Sequence, residues 1–237
     1  MVKSRTAVLA TLAAAQLLVL PAIGVAQTSG SETSMTPALT KMSSEVFLAG
    51  LAPTLGNEPA SRLEMKFEVT FMKIDVAQLE ARVAPTVSAL IEPLVRNGQR
   101  DDAAKAQIAG WLMDPSAPIL LTMEYLRDAD YGRFQKGLRI SMEQAAASGA
   151  ITEDEAEKLT AQLTEESAPL EESGVAKGGI LAHYISDDTV RTIYLEPDGT
   201  ILLDRSRDDA ILGRALRASW FGEKSRFRDK LLRSLFE

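Results

Sequence analysis

The chain of 237 residues contains no cysteine and a single histidine, His183. A zinc site of the usual Cys/His kind cannot be assembled from that inventory, and no motif suggests an all-carboxylate metal site. An oxidising compartment would neither harm such a chain nor staple it. A Ser-His-Asp triad would have to recruit His183, and the G-x-S-x-G elbow that presents the serine is absent. Neither G-x-G-x-x-G nor G-x-x-x-x-G-K-[ST] occurs, so nucleotide binding lacks a signature and no cofactor is expected. Basic charge is also short: 26 Lys and Arg face 33 Asp and Glu, a net charge of −7. An acidic surface repels phosphate backbones, which argues against nucleic acid as a partner.

Long apolar runs are confined to the first 26 residues. Lys3 and Arg5 open a stretch that is apolar from Thr6 to Leu20 except for Thr6, Thr11 and Gln16. Pro21 then breaks it before Gly24-Val25-Ala26. A short basic start, an apolar run too short to span a bilayer and a small-residue ending make a secretory signal peptide, 1–26. Cleavage after Ala26 removes two basic residues and no acid, moving the net charge to −9. The mature chain is expected to be exported, periplasmic or secreted. Gln27 to Ser44 is rich in Ser, Thr and Gly and reads as a flexible leader, leaving 45–237 as one domain.

Within that domain, Leu63 to Val76 alternates Leu63, Met65, Phe67, Val69 and Phe71 with polar residues, a strand with one buried face. Asp75 with Gln78 is then expected to cap a helix running through Leu79, Val83 and Val87 toward Leu94, stopped at Asn97-Gly98. Asp101 to Met113 predicts a short helix. Pro118 to Leu126 predicts a well-covered strand, and Ala129 to Ala147 a helix ending near Gly149. Thr152 and Glu155 fit a reciprocal capping box for a helix through Ala156, Leu159 and Leu163.

Strands follow at Gly179 to Ile185, Val190 to Leu195 and Thr200 to Leu203, the last two joined by Pro197-Asp198-Gly199. His183 falls in the first of these and is expected at a sheet surface. A helix carries the stripe Ile211, Leu212, Ala215, Leu216 and ends on Trp220-Phe221-Gly222. A final basic amphipathic helix contains Lys224, Arg226, Arg228, Lys230 and Arg233 beside Phe227, Leu231, Leu232 and Leu235. Its apolar stripe is the ordinary pattern of a helix packed on a core. The pattern is that of an α+β domain: one mainly antiparallel sheet with helices packed on one face.

Three blocks in order, RLEMKFEVTFMKIDV, LLTMEYLRDADYGRF and the segment from Arg191 to Leu235 with its Ser-Trp-Phe-Gly ending, resemble the chalcone isomerase-like family. The resemblance spans Arg62 to Leu235, with a helical middle longer than many members have. It implies the family's fold, which houses both a true isomerase and non-catalytic binders of fatty acids. In catalytic members an Arg, a Thr, a Tyr, an Asn and a Ser or Thr line a cleft between sheet and helices. By position these imply Arg62, Thr70, Tyr131 and Ser219 as ligand-binding residues. The Asn is missing, because Leu138 stands seven residues after Tyr131.

An Arg-Tyr pair suits an oxyanion or a carboxylate head group, with an apolar cleft for the rest of the ligand. The implied function is therefore an exported, non-catalytic binder of a small amphipathic or carboxylate ligand such as a fatty acid. A chalcone isomerase-type intramolecular lyase is one alternative, and an envelope structural or interaction protein without ligand is another.

Overall fold

In the computed structural model, residues 50–52, 55, 61–69 and 74–237 are described. All of them lie in the compact unit Met35–Glu237. Six strands form one sheet: β1 Arg62–Val69, β2 Ile74–Val83, β3 Ile119–Tyr125, β4 Ile180–Ser186, β5 Thr189–Leu195 and β6 Ile201–Asp208. Their spatial order is their chain order, and every neighbouring pair is antiparallel. The α+β architecture expected from the sequence is the observed one.

The run Leu63 to Val76 is two strands, and the helix expected through Leu79 and Val83 is the second of them. Ala77, Leu79, Ala81 and Val83 are buried while Gln78, Glu80 and Arg82 alternate with them, a period of two. The helix waits for Pro85. Proline at its first position needs no N–H partner and biases Ala84 before it toward extended backbone. That helix, α1 (Pro85–Arg96), stops at Asn97 as expected, with Gly98 at φ +64°.

Further helices among the described residues are α2 Asp102–Met113, α3 Tyr131–Ala147, α4 Glu153–Glu166, α5 Ala210–Phe221 and α6 Arg228–Ser234. Asp101, Asp130, Thr152 and Asp209 cap α2 to α5 by accepting a backbone N–H, and the Thr152–Glu155 capping box is complete.

Strand alternation sorts the sheet into two faces. Leu63, Met65, Leu79, Ala81, Ile119, Leu121, Ile185 and Val190 point to the helices and form the main core with Leu212, Ala215, Leu216, Trp220 and Phe221 of α5. Trp220 and Phe221 are 4% and 1% exposed. The α5 helix is buried almost all round because it lies between the sheet and α2, α3 and α4. Gly213 permits its approach: a Cβ there would stand 3.3 Å from Ile185 Cγ2. The opposite face carries Arg62, Glu64, Lys66, Glu80 and Arg82. It also has an apolar patch of Leu120, Ala182 and Ile193, covered by Leu51 and Ala52.

The apolar stripe of the basic C-terminal segment, Phe227, Leu231, Leu232 and Leu235, belongs to the core. Phe227 packs edge-on against Phe67, and Ser234 Oγ accepts the N–H of Glu64, so α6 runs antiparallel along the edge strand β1. An edge that would otherwise offer a free N–H to another chain is thereby occupied. Among the described residues no helix is long and apolar enough to cross a membrane.

Candidate functional site

The layer between sheet and helices is fully buried at one end and carries half-buried side chains at the other. Val83, Ile119, Leu121, Ile185 and Val190 are shut from solvent. Two residues further along β3, Met123 keeps accessible surface although Leu79 and Leu181 beside it are buried. The next row across the sheet, Phe67–Ala77–Tyr125, has half-buried side chains at both ends. Leu138 of α3, also half-buried, packs against both the main core and a second cluster of Phe134, Leu170, Leu181, Tyr194 and Leu203.

The Tyr125 phenol is enclosed enough that burial, with a smaller contribution from Tyr194, pushes its pKa far up. Phe67, Met123, Tyr125 and Leu138 are the half-buried apolar side chains at this end of the layer, and Ala77 between Phe67 and Tyr125 is buried. No hydrogen-bond partner of the Tyr125 hydroxyl is found among the described residues. Tyr194 stands 6.4 Å away ring to ring and is already engaged. Its hydroxyl accepts the Ala176 N–H at 2.8 Å, and burial raises its pKa to about 12.

The residues implied by the family resemblance take up other positions. Arg62 is out of phase with Leu63, Met65 and Phe67, so its side chain lies on the face away from the helices. There it pairs with Glu80 at 2.9 Å and Glu64 at 3.0 Å. Burial raises the Glu80 carboxyl, but hydrogen bonds from Arg62 and Arg82 outweigh it and leave the pKa below the ordinary value. Tyr131 lies on the helix side, stacked on Phe134. Its hydroxyl donates to Thr164 O at 2.8 Å and sits 3.2 Å from Ser167 Oγ, pinning the start of α3 to the end of α4.

Arg62 and Tyr131 thus stand on opposite sides of the sheet, and the structure does not bring them together as one head-group site. Ser219, 1% exposed, donates its hydroxyl to Leu216 O within its own helix. Thr70 lies outside the described residues.

His183 is not at a sheet surface but on the helix-covered face, within 2.9 Å of Thr192 through Nδ1. Burial, and after it the charge of Arg207, lowers its pKa to about 4, so the ring is neutral at physiological pH. Arg207 pairs with Glu166 at 2.7 Å, while its Nη1 is buried without a partner among the described residues. Among the described residues no group of three or more His, Cys, Asp and Glu is placed to hold a metal ion.

These half-buried residues were visible only in part from sequence. Phe67, Met123 and Tyr125 sit on the inward phase of their strands, but nothing in the alternation tells a sealed row from an open one. No family model matches the sequence, and no curated protein matches it by sequence. Among solved structures the chain is similar to a fatty-acid binding protein of Arabidopsis thaliana, AtFAP1. The match has 10% identity and a TM-score of 0.46, over 75% of this chain and 88% of that one.

Proposed function

We propose that this chain is an exported protein of the chalcone isomerase-like fold that binds a small amphipathic ligand, such as a fatty acid, without transforming it. The observation that carries the reading is the set of half-buried apolar side chains Phe67, Met123, Tyr125 and Leu138 at one end of the layer between sheet and helices. Such a site takes an acyl chain by the hydrophobic effect, each buried methylene contributing about 0.8 kcal/mol. Leu138 in place of an amide supports binding over enone cyclisation, because a leucine can neither donate to nor accept from a developing enolate. Tyr131 and Ser219 already spend their hydroxyls on backbone carbonyls.

Native mass spectrometry of protein purified from the cell envelope should show a bound acyl species that is lost on organic extraction. Enzymatic cyclisation of a chalcone by the purified protein would refute the binder reading. Export rests on residues 1–26 alone. N-terminal sequencing should find Gln27 first, and an intact Met1 in a membrane fraction would refute processing.

A further inference from the structure

We propose that the cationic face of the C-terminal segment docks on an anionic lipid surface and is held there by charge alone. Lys224, Arg226, Lys230 and Arg233 are exposed, and residues 223–236 hold five bases against two acids, Glu223 and Asp229, in a chain of net charge −7. Lys230 and Arg233 stand three apart on the outer side of α6, and Arg226 precedes them by one turn. Neither these four nor Arg100 is in a salt bridge among the described residues.

Stacking steadies two of the arginines. Arg226 lies 5.7 Å over the ring of Phe67, and Arg100 lies 5.9 Å over Phe236. Stacking uses the flat face of a guanidinium, so its in-plane N–H donors stay open to phosphate oxygens.

A group of acids lies at the other edge of the sheet. Glu165, Glu166, Glu171 and Glu172 are at the end of α4 and in the turn after it. Glu166 pairs with Arg207 of β6 at 2.7 Å, and Leu170 packs with Leu203 of the same strand. The cationic helix runs along β1, so five strand spacings of about 4.8 Å, about 24 Å in all, separate the two edges. The Debye length at physiological salt is about 8 Å. A surface touching α6 therefore meets its cations at close range while the acidic edge is screened, which lets an acidic chain approach an anionic plane in one orientation.

The composition of the face favours lipid over protein. A protein interface needs an apolar centre, and Phe227, Leu231, Leu232 and Leu235 are all buried in the core. What remains is long, flexible cations, which suit a plane of mobile phosphates. The same burial forbids insertion of the helix among acyl chains, so binding should vanish with screening.

The test is co-sedimentation of the purified mature chain with vesicles of phosphatidylcholine, alone or mixed with phosphatidylglycerol. At low salt the chain should bind only the mixed vesicles, and at about 1 M salt, where the Debye length is about 3 Å, it should bind neither. Each cation near such a surface is worth about fivefold in affinity, so Lys230→Gln with Arg233→Gln should weaken binding about twenty- to thirtyfold. A control pair, Lys177→Gln with Arg205→Gln, removes equal charge from exposed positions elsewhere and should change binding less than about twofold. Thermal melts of both double variants should match the parent, since the four side chains are exposed.

No binding to mixed vesicles at low salt, or equal binding to neutral ones, overturns the proposal, as does binding that survives high salt. Equal loss in the two double variants would mean a response to net charge, with α6 not the docking face. Self-association without vesicle binding, abolished by Lys230→Gln with Arg233→Gln, would place the acidic edge of a second copy on this face and the lipid assignment would be wrong.

Discussion

Arg217 is a cation with no water around it. At 1% exposed it sits on α5 and donates to the carbonyls of Leu112 and Ala117. Leu112 is in the last turn of α2, where carbonyls have no partner within the helix. The arginine therefore closes a helix end that would otherwise be buried unsatisfied. Burial lowers its pKa to about 10, partly offset by Asp114, so it remains charged at neutral pH. Arg217→Met keeps the volume but strands both carbonyls, and chemical denaturation should show a loss of about 2–4 kcal/mol.

His183 gives the opposite case, a titratable ring kept neutral. Its folded pKa of about 4 lies below its ordinary 6.5. The unfolded chain therefore takes up a proton, as pH falls through 6.5, that the folded chain refuses until about pH 4. Stability from this group is complete above the ordinary value and drains away between the two, by about 3 kcal/mol in all. Denaturant melts from pH 7 to pH 4 should fall more steeply for the parent than for His183→Gln, and parallel curves would contradict this. Arg62 shows what residue-level reading can miss: its parity against Leu63 and Met65 already placed it on the solvent face, although its position before the strand suggested a cleft.

Among the elements, β2 is the instructive misreading. Ala77, Leu79, Ala81 and Val83 alternate at a period of two. Their small side chains and charged intervening residues also allow a helical reading, and only pairing with β1 and β3 decides between them. The capped helices were legible because caps are local: Asp101, Thr152 with Glu155, and the Trp220-Phe221-Gly222 stop all name their own helix ends. The half-buried end of the layer was not, since the exposure of Met123 depends on which distant elements pack over it. How closely α5 crosses is set at Gly213. Gly213→Ala should be nearly neutral, helix propensity offsetting the tight contact with Ile185, whereas Gly213→Val should cost about 1–3 kcal/mol by overpacking. Equal melting temperatures for the two variants would mean that α5 has room to retreat from the sheet.

At the scale of the whole molecule, a ligand that binds only the folded chain must raise its stability by mass action. At a hundredfold excess over the dissociation constant, an acyl ligand should add about 2.7 kcal/mol. A melting temperature unmoved by saturating fatty acid would count against the binder reading.

The sequential strand order has a consequence for how the chain is made. Each strand finds its neighbour already synthesised, so the sheet can assemble in the order in which the chain emerges. Its roof cannot, because α5 begins only at Ala210 and α6 ends at Ser234. Until those turns arrive, the inward row from Leu63 to Val190 lacks Leu212, Ala215 and Leu216, which complete the core it shares with the earlier helices. The segment from Ala210 to Ser234 is thus the commitment step: a chain synthesised only as far as β6 has its sheet strands in order but an incomplete core.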